Sequence, residues 1–335
     1  MDQVKHVALV GGTGLLGSAV VQALLAKNEQ FELTLFTRSI STHKIPAKAR
    51  VVTIESFDDI SEESTLVRCL RGHDVLASTL NSAVALECKN QVTPFLQYIT
   101  SQLTLCRTVE PKLVAAAIQA GVKHFMPSEY TLNVTHPAAR ALGKGNMLGG
   151  RASWADKLAT IASSGQITYT TLVTGGFLDW GIKSGMLGFD LAQRAAVLYD
   201  GGQHKVTACT VGFVAEAILT ALRMPNEKMA NKRLYVAEVE YTGEELLRTI
   251  ELASGDKWTA TQLSTESAKD NGMKLQAEGN LRAAYLNFAR ALNFDGCGAA
   301  DLRSGLEFGR ELEVDLQRRS LSDIVRSVID EATTS

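Results

Sequence analysis

The chain has 335 residues, which at roughly 150 residues per domain makes room for about two domains. With 45% hydrophobic and 21% charged residues and 6 Pro it has a globular balance, which excludes extended disorder and collagen-like repeats. Its 34 Lys and Arg against 36 Asp and Glu leave a net charge of -2, so the positive field that non-specific nucleic-acid binding needs is missing. No apolar run reaches the roughly 18 residues of a membrane span, and the N-terminal apolar stretch at 7–10 breaks into glycines rather than a cleavage site. A soluble, cytoplasmic protein is therefore expected. Cys69, Cys88, Cys106, Cys209 and Cys297 are odd in number, widely spaced and never in a Cys-x-x-Cys pair. They read as buried free thiols, and no metal site is expected.

The first half alternates β-branched or apolar runs with helical patterns. Strands are expected at 4–10, 31–37, 50–55, 74–79, 124–127 and 167–173, and helices at 15–27, 62–71, a long stretch ending near Ala120, and 152–163. Repeated strand–helix units with right-handed crossovers give an α/β fold, a doubly wound parallel sheet of Rossmann type. After Thr174 glycines crowd in at Gly175, Gly176, Gly181, Gly185 and Gly188, so loops and turns are expected to replace the alternation at a domain seam. Further on, 235–239 and 258–263 read as strands, and 264–278 is polar enough for a solvated helix or loop. Thr242 before Glu245 and Ser320 before Asp323 have capping-box spacing, which predicts two helix starts in an α-rich tail.

The first strand runs into Gly11-Gly12-Thr13-Gly14-Leu15-Leu16-Gly17 and then a helix. Gly11 permits the turn, Gly14 lets a pyrophosphate approach the backbone, and Gly17 lets the helix lie close on the strand. The helix N-terminus then faces the anion, and Thr13, Leu15 and Leu16 join the glycines as candidate cofactor contacts. Where an NAD-binding chain carries an acid to hold the ribose hydroxyls, this one reads Thr37-Arg38. A guanidinium grips a 2′-phosphate, which predicts NADPH over NADH, with Lys44 as a second phosphate contact. By topology Phe57 falls near the adenine, and Thr79 and Leu80 near the cofactor's middle. A Walker-type loop fails, because Gly143-Lys144 is followed by Gly145 and Ala138 stands where the first glycine belongs.

The glycine turn, Thr37-Arg38, the run Ala120-Gly121-Val122-Lys123-His124-Phe125-Met126-Pro127-Ser128-Glu129-Tyr130, and Thr174-Gly175-Gly176-Phe177-Leu178-Asp179-Trp180-Gly181 together resemble the isoflavone-reductase-like and NmrA-like branch of the atypical short-chain dehydrogenases, over about residues 4–260. The resemblance implies an NADPH-binding sheet domain with a smaller, partly interleaved substrate domain. The expected division is 1–180 with 203–240 returning to it, against 181–202 and 241–335. It also implies reduction of phenylpropanoids or other aromatic or polyketide-derived molecules, although some relatives bind NADP(H) mainly as redox-sensing regulators.

Ordinary short-chain dehydrogenases use Tyr-x-x-x-Lys, and no tyrosine here has Lys four positions later. The branch resembled has instead a lysine on the helix after the Ser-Glu segment, which Trp154-Ala155-Asp156-Lys157 matches imperfectly. Lys157 is thus the catalytic candidate, orienting the nicotinamide ribose and a proton at the substrate oxygen, with Lys144 as its alternative. Pro127 and Ser128 close the fifth strand as cofactor contacts, Tyr130 follows as a substrate contact, and Glu129 reads equally as a loop anchor. Gly176, Phe177 and Trp180 would line an aromatic site. The reading is an NADPH-dependent reductase of a small aromatic metabolite, a monomer or homodimer. A regulator without turnover, and an isomerase or cyclase that retains the cofactor, remain open beside it.

Overall fold

The apolar runs that the sequence spaces out as strands lie side by side in the computed structural model, which describes residues 4–26, 31–37, 48–54, 57, 61, 63–80, 109–142, 147–313 and 316–334. β1 (His6–Val10), α1 (Leu15–Ala26), β2 (Glu32–Thr37) and β3 (Arg50–Thr53) open the chain. α2 (Thr65–Leu70), β4 (Val75–Ser78), a helix α3 described over 109–120, and β5 (His124–Met126) follow. α4 (Pro137–Ala141), α5 (Met147–Ala162) and β6 (Thr168–Val173) complete the alternating half.

β1 pairs in parallel with β2 on one side and β4 on the other, placing Val10 level with both Phe36 and Ser78. β3 extends the β2 side, and β5 and β6 extend the β4 side, all in parallel. The strand order therefore reverses at β1 and β4, where open α/β sheets form a ligand crevice at the strands' carboxyl ends. Val7, Ala8, Leu9, Val75 and Leu76 are fully buried, as expected of strands covered on both faces. α1 buries Leu16, Val20, Val21 and Leu24, a helical-period stripe worth about 1.5–3 kcal/mol for each large side chain.

Element ends differ from expectation for local reasons. α2 begins at Thr65 rather than 62, because the Ser64 hydroxyl accepts from the Val67 amide and fixes the N-cap there. α5 begins five residues early, taking in Gly149 and Gly150. Burial of Ala152, Trp154, Leu158 and Ala162 outweighs the about 1 kcal/mol each glycine costs a helix.

Beyond Thr174 the expectation of loops is corrected. β7 (Gly176–Phe177), α6 (Leu178–Lys183), β8 (Phe189–Asp190), β9 (Ala195–Tyr199), β10 (Val206–Cys209), α7 (Val211–Arg223), α8 (Asn226–Met229), β11 (Lys232–Tyr235) and β12 (Val239–Tyr241) follow in order. β11 joins the edge of the large sheet beside β6, giving seven strands among the described residues, while β12-β10-β7 form a second sheet. Strands of two to five residues carry too little period-2 pattern to be read from sequence. The strand expected at 235–239 is in fact the passage between β11 and β12. There the Val236 amide bonds to Val173 O and the Glu238 amide to Ala208 O.

The tail holds α9 (Gly243–Ser254), β13 (Thr259–Leu263), α10 (Thr265–Ala277), α11 (Leu281–Phe294), α12 (Arg310–Glu313) and α13 (Leu321–Thr334), with β13 pairing β9 and β9 pairing β8 in a third sheet. Thr242 and Glu245 form a complete capping box. At α13 the Ser320 hydroxyl accepts from the Asp323 amide but donates to the Asp323 carboxylate, so only half of the box is reproduced. The polar stretch at 264–278 is a helix, capped by Ser264.

Two units result: 1–129, 153–172 and 214–234 form the first, and 130–152, 173–213 and 235–335 the second. The grouping differs from the expected one, assigning 130–152, 173–180, 203–213 and 235–240 to the second unit. Among the described residues no helix is long and apolar enough to cross a membrane. Of the described cysteines Cys209 is buried, whereas Cys69 and Cys297 are only partly so, and all three are free thiols. Cys88 and Cys106 lie outside the described residues.

Candidate cofactor site

β1 ends at Val10, and its carbonyl accepts both the amide of Thr79 at 2.8 Å and the Thr79 hydroxyl at 3.1 Å. The carboxyl ends of β1 and β4 are thus stitched together at the point where the strand order reverses. Gly11 turns with φ +88°, and a Cβ there would lie 2.8 Å from the Thr79 carbonyl. The Gly14 amide closes the turn onto Gly11 O at 2.9 Å. A Cβ on Gly17 would stand 2.0 Å from Gly11 O and 2.7 Å from Thr79 Oγ1, so the first turn of α1 lies directly on the β1 turn.

A dinucleotide fits this arrangement. The glycines leave backbone with no side chain over the end of β1, and the 12-residue α1 points its amide end there with no acidic residue in its first turn. Thr13 and Gly14 are partly exposed and Leu15 is 46% exposed, whereas Leu16 is buried in the core and offers only its backbone. Thr79 likewise is buried, with its hydroxyl already bonded to Val10.

The fifth strand meets the same edge. Ser128 donates its hydroxyl to Leu80 O at 2.7 Å, while its amide donates to Glu110 Oε1 at 2.7 Å. The second oxygen of that carboxylate accepts from Trp154 Nε1 at 2.7 Å, and Glu110 is 1% exposed. Pro127 is buried. Glu129 is buried and forms an ion pair with the partly buried Arg233, as a loop anchor would.

His124, inside β5, has both ring nitrogens bonded to hydroxyls, to Thr168 at 2.8 Å and Thr170 at 3.0 Å. Burial lowers its pKa to about 4, so the imidazole is neutral and structural. His136 accepts from the Ala138 amide at the start of α4.

Other candidates fall elsewhere. Phe57 is buried in the core cluster with Phe36, Val52 and Ile54. Arg38, Lys44 and Lys144 lie outside the described residues. Lys157 is exposed on α5, one helical turn after Trp154.

Tyr130, Gly176, Phe177 and Trp180 belong to the second unit. There β7 pairs with β10, and Asp179 accepts from the amides of Trp180 and Val211. Burial raises the Asp179 pKa against those two bonds. Sequence reasoning missed Glu110. A lone acid in an apolar helical stretch gives no local signal of burial, and its two partners are distant in sequence.

An oxidoreductase of Aspergillus flavus, aprR, is 27% identical to this chain over 275 residues, covering 82% of each. The solved structure of AtPrR2 with NADP+ and (+)pinoresinol superposes with a TM-score of 0.73 at 20% identity, covering 98% of this chain and 99% of that one. An isoflavone reductase follows with a TM-score of 0.68 at 16% identity, over 97% and 99%. Both share the fold. Residues 11–225 match the NAD(P)H-binding family by sequence, a span that runs from the first glycine of the turn to just beyond α7. That match covers more than half of the chain, and the protein belongs to the NAD(P)H-binding family.

Proposed function

We propose that the protein is an NADPH-dependent reductase acting by hydride transfer on a small aromatic or polyketide-derived metabolite. The observation that carries this reading is the turn itself, where Gly11, Gly14 and Gly17 bare the backbone between β1, β4 and the amide end of α1. The bound nicotinamide cofactor supplies the hydride. α1 and the glycine turn hold its pyrophosphate, and Arg38, the next residue in sequence after Thr37, grips the 2′-phosphate with Lys44 as a second contact.

Lys157 stands open to solvent on α5, a cation that holds the nicotinamide ribose and keeps a proton at the substrate oxygen as the carbonyl or enone is reduced. Tyr130, Gly176, Phe177 and Trp180 are the substrate contacts in this reading. The relatives support the substrate class: the similar structures include an isoflavone reductase and a protein with pinoresinol bound.

Side-by-side titration with NADPH and NADH, repeated on Arg38→Ala, tests the cofactor. Tight NADPH binding that weakens selectively in the variant supports the reading, and equal binding of both cofactors overturns it. Turnover is tested by NADPH oxidation across a panel of aromatic ketones and enones. NADPH binding without turnover of any of them would favour a regulator.

A further inference from the structure

Glu110 is a buried carboxylate with a partner on each oxygen. Oε1 accepts from the backbone amide of Ser128 and Oε2 from the indole of Trp154, both at 2.7 Å. Ser128 in turn donates its hydroxyl to Leu80 O, next to Thr79, against which Gly11 and Gly17 lie. Trp154 sits one turn before Lys157 on α5. A single side chain therefore links the ends of β4 and β5 to the helix that carries the lysine, with each carboxyl oxygen accepting from an N–H donor.

We infer that Glu110 is a positioning residue for the cofactor, setting the height of the Ser128 loop and the rotation of α5 together. It touches neither cofactor nor substrate in this role. Its effect runs through Ser128 on one side and through Trp154 to Lys157 on the other. Glutamine keeps the shape but replaces one acceptor oxygen by an amide that faces a donor, so one of the two bonds is lost and two N–H groups oppose each other.

The inference rests on the cofactor lying over the Gly11–Gly17 turn and Ser128, and the experiment separates the two. In a Trp180→Phe/Trp258→Phe background Trp154 is the sole tryptophan of the 3 in the chain, and its emission reports the indole bond and energy transfer to bound NADPH. NADPH is titrated into this parent, Glu110→Gln, Trp154→Phe and the double variant, the two lacking Trp154 being read by the fluorescence of NADPH itself.

Glu110→Gln is expected to raise the NADPH Kd about tenfold and to shift the Trp154 emission. The double variant is expected to bind no more weakly than Glu110→Gln alone, since both changes break one linkage. Unchanged affinity in a folded Glu110→Gln, or additive losses in the double variant, overturns the inference. Failure of the unsubstituted protein to bind NADPH overturns the cofactor placement and the inference with it. Should Glu110→Gln fail to fold, Trp154→Phe is titrated alone. An NADPH Kd raised several-fold supports the linkage through the indole, and an unchanged Kd overturns it.

Discussion

Gly17 lies so close to Gly11 that a Cβ on the first would stand 2.0 Å from the carbonyl oxygen of the second. The contact is backbone against backbone, so no rotamer relieves it. α1 must move away from the β1 turn to admit even a methyl group. Gly17→Ala is expected to cost about 1–3 kcal/mol and to abolish measurable NADPH binding, read by denaturant unfolding and cofactor titration. A variant that keeps both would remove the close approach from the account of the site.

Lys157→Ala is expected to bind NADPH within a few-fold of the unsubstituted protein but to lose about 10²-fold or more in kcat on whichever substrate the panel identifies. Lys157→Arg, which keeps the charge without a transferable proton, separates orientation from proton transfer. Full turnover by Lys157→Ala would shift attention to Lys144.

His124 makes stability depend on pH with a definite sign. Its folded pKa of about 4 lies below the ordinary 6.5, so between those values the unfolded chain binds more protons. Its contribution is fully present above pH 6.5 and falls away as the pH drops towards 4, by about 3 kcal/mol in all. Urea midpoints measured from pH 7.5 to 4.5 are expected to fall less steeply for His124→Asn, which cannot take up the proton. Parallel curves would show that the loss comes from other groups.

Thr242→Ala removes one arm of the capping box at α9 and is expected to lower stability by about 1 kcal/mol. Ser320→Ala at α13 removes a cap whose hydroxyl also donates to Asp323 and is expected to cost a similar amount, both read as a fall in Tm in thermal melts.

What the sequence made legible was whatever repeats locally. The β1 turn, the alternation up to β6 and the Thr242 cap each rest on residues within a few positions of one another. The burial of Phe57 was not legible, because strand order locates a loop but does not say whether its aromatic turns outward or into the core. Glu110 escaped because its partners, Ser128 and Trp154, are 18 and 44 residues away. β7, β10 and β12 escaped for a related reason. Their pairings join positions as far apart as Val206 and Tyr241 through strands too short to show a pattern. The five residues 235–239 looked like one strand because the apolar alternation there serves two sheets in succession.

β11 reaches the edge of the large sheet only after the chain has left that sheet at Val173 and built β7 to β10. During synthesis, at roughly 5–20 residues per second, β6 thus waits several seconds with its outer edge unpaired. An open edge on an apolar parallel strand is a template for the wrong neighbour, including another nascent chain. The demand for chaperone protection should be sharpest in that interval, and a chain truncated between β6 and β11 should be recovered as aggregate rather than as an independent dinucleotide-binding module.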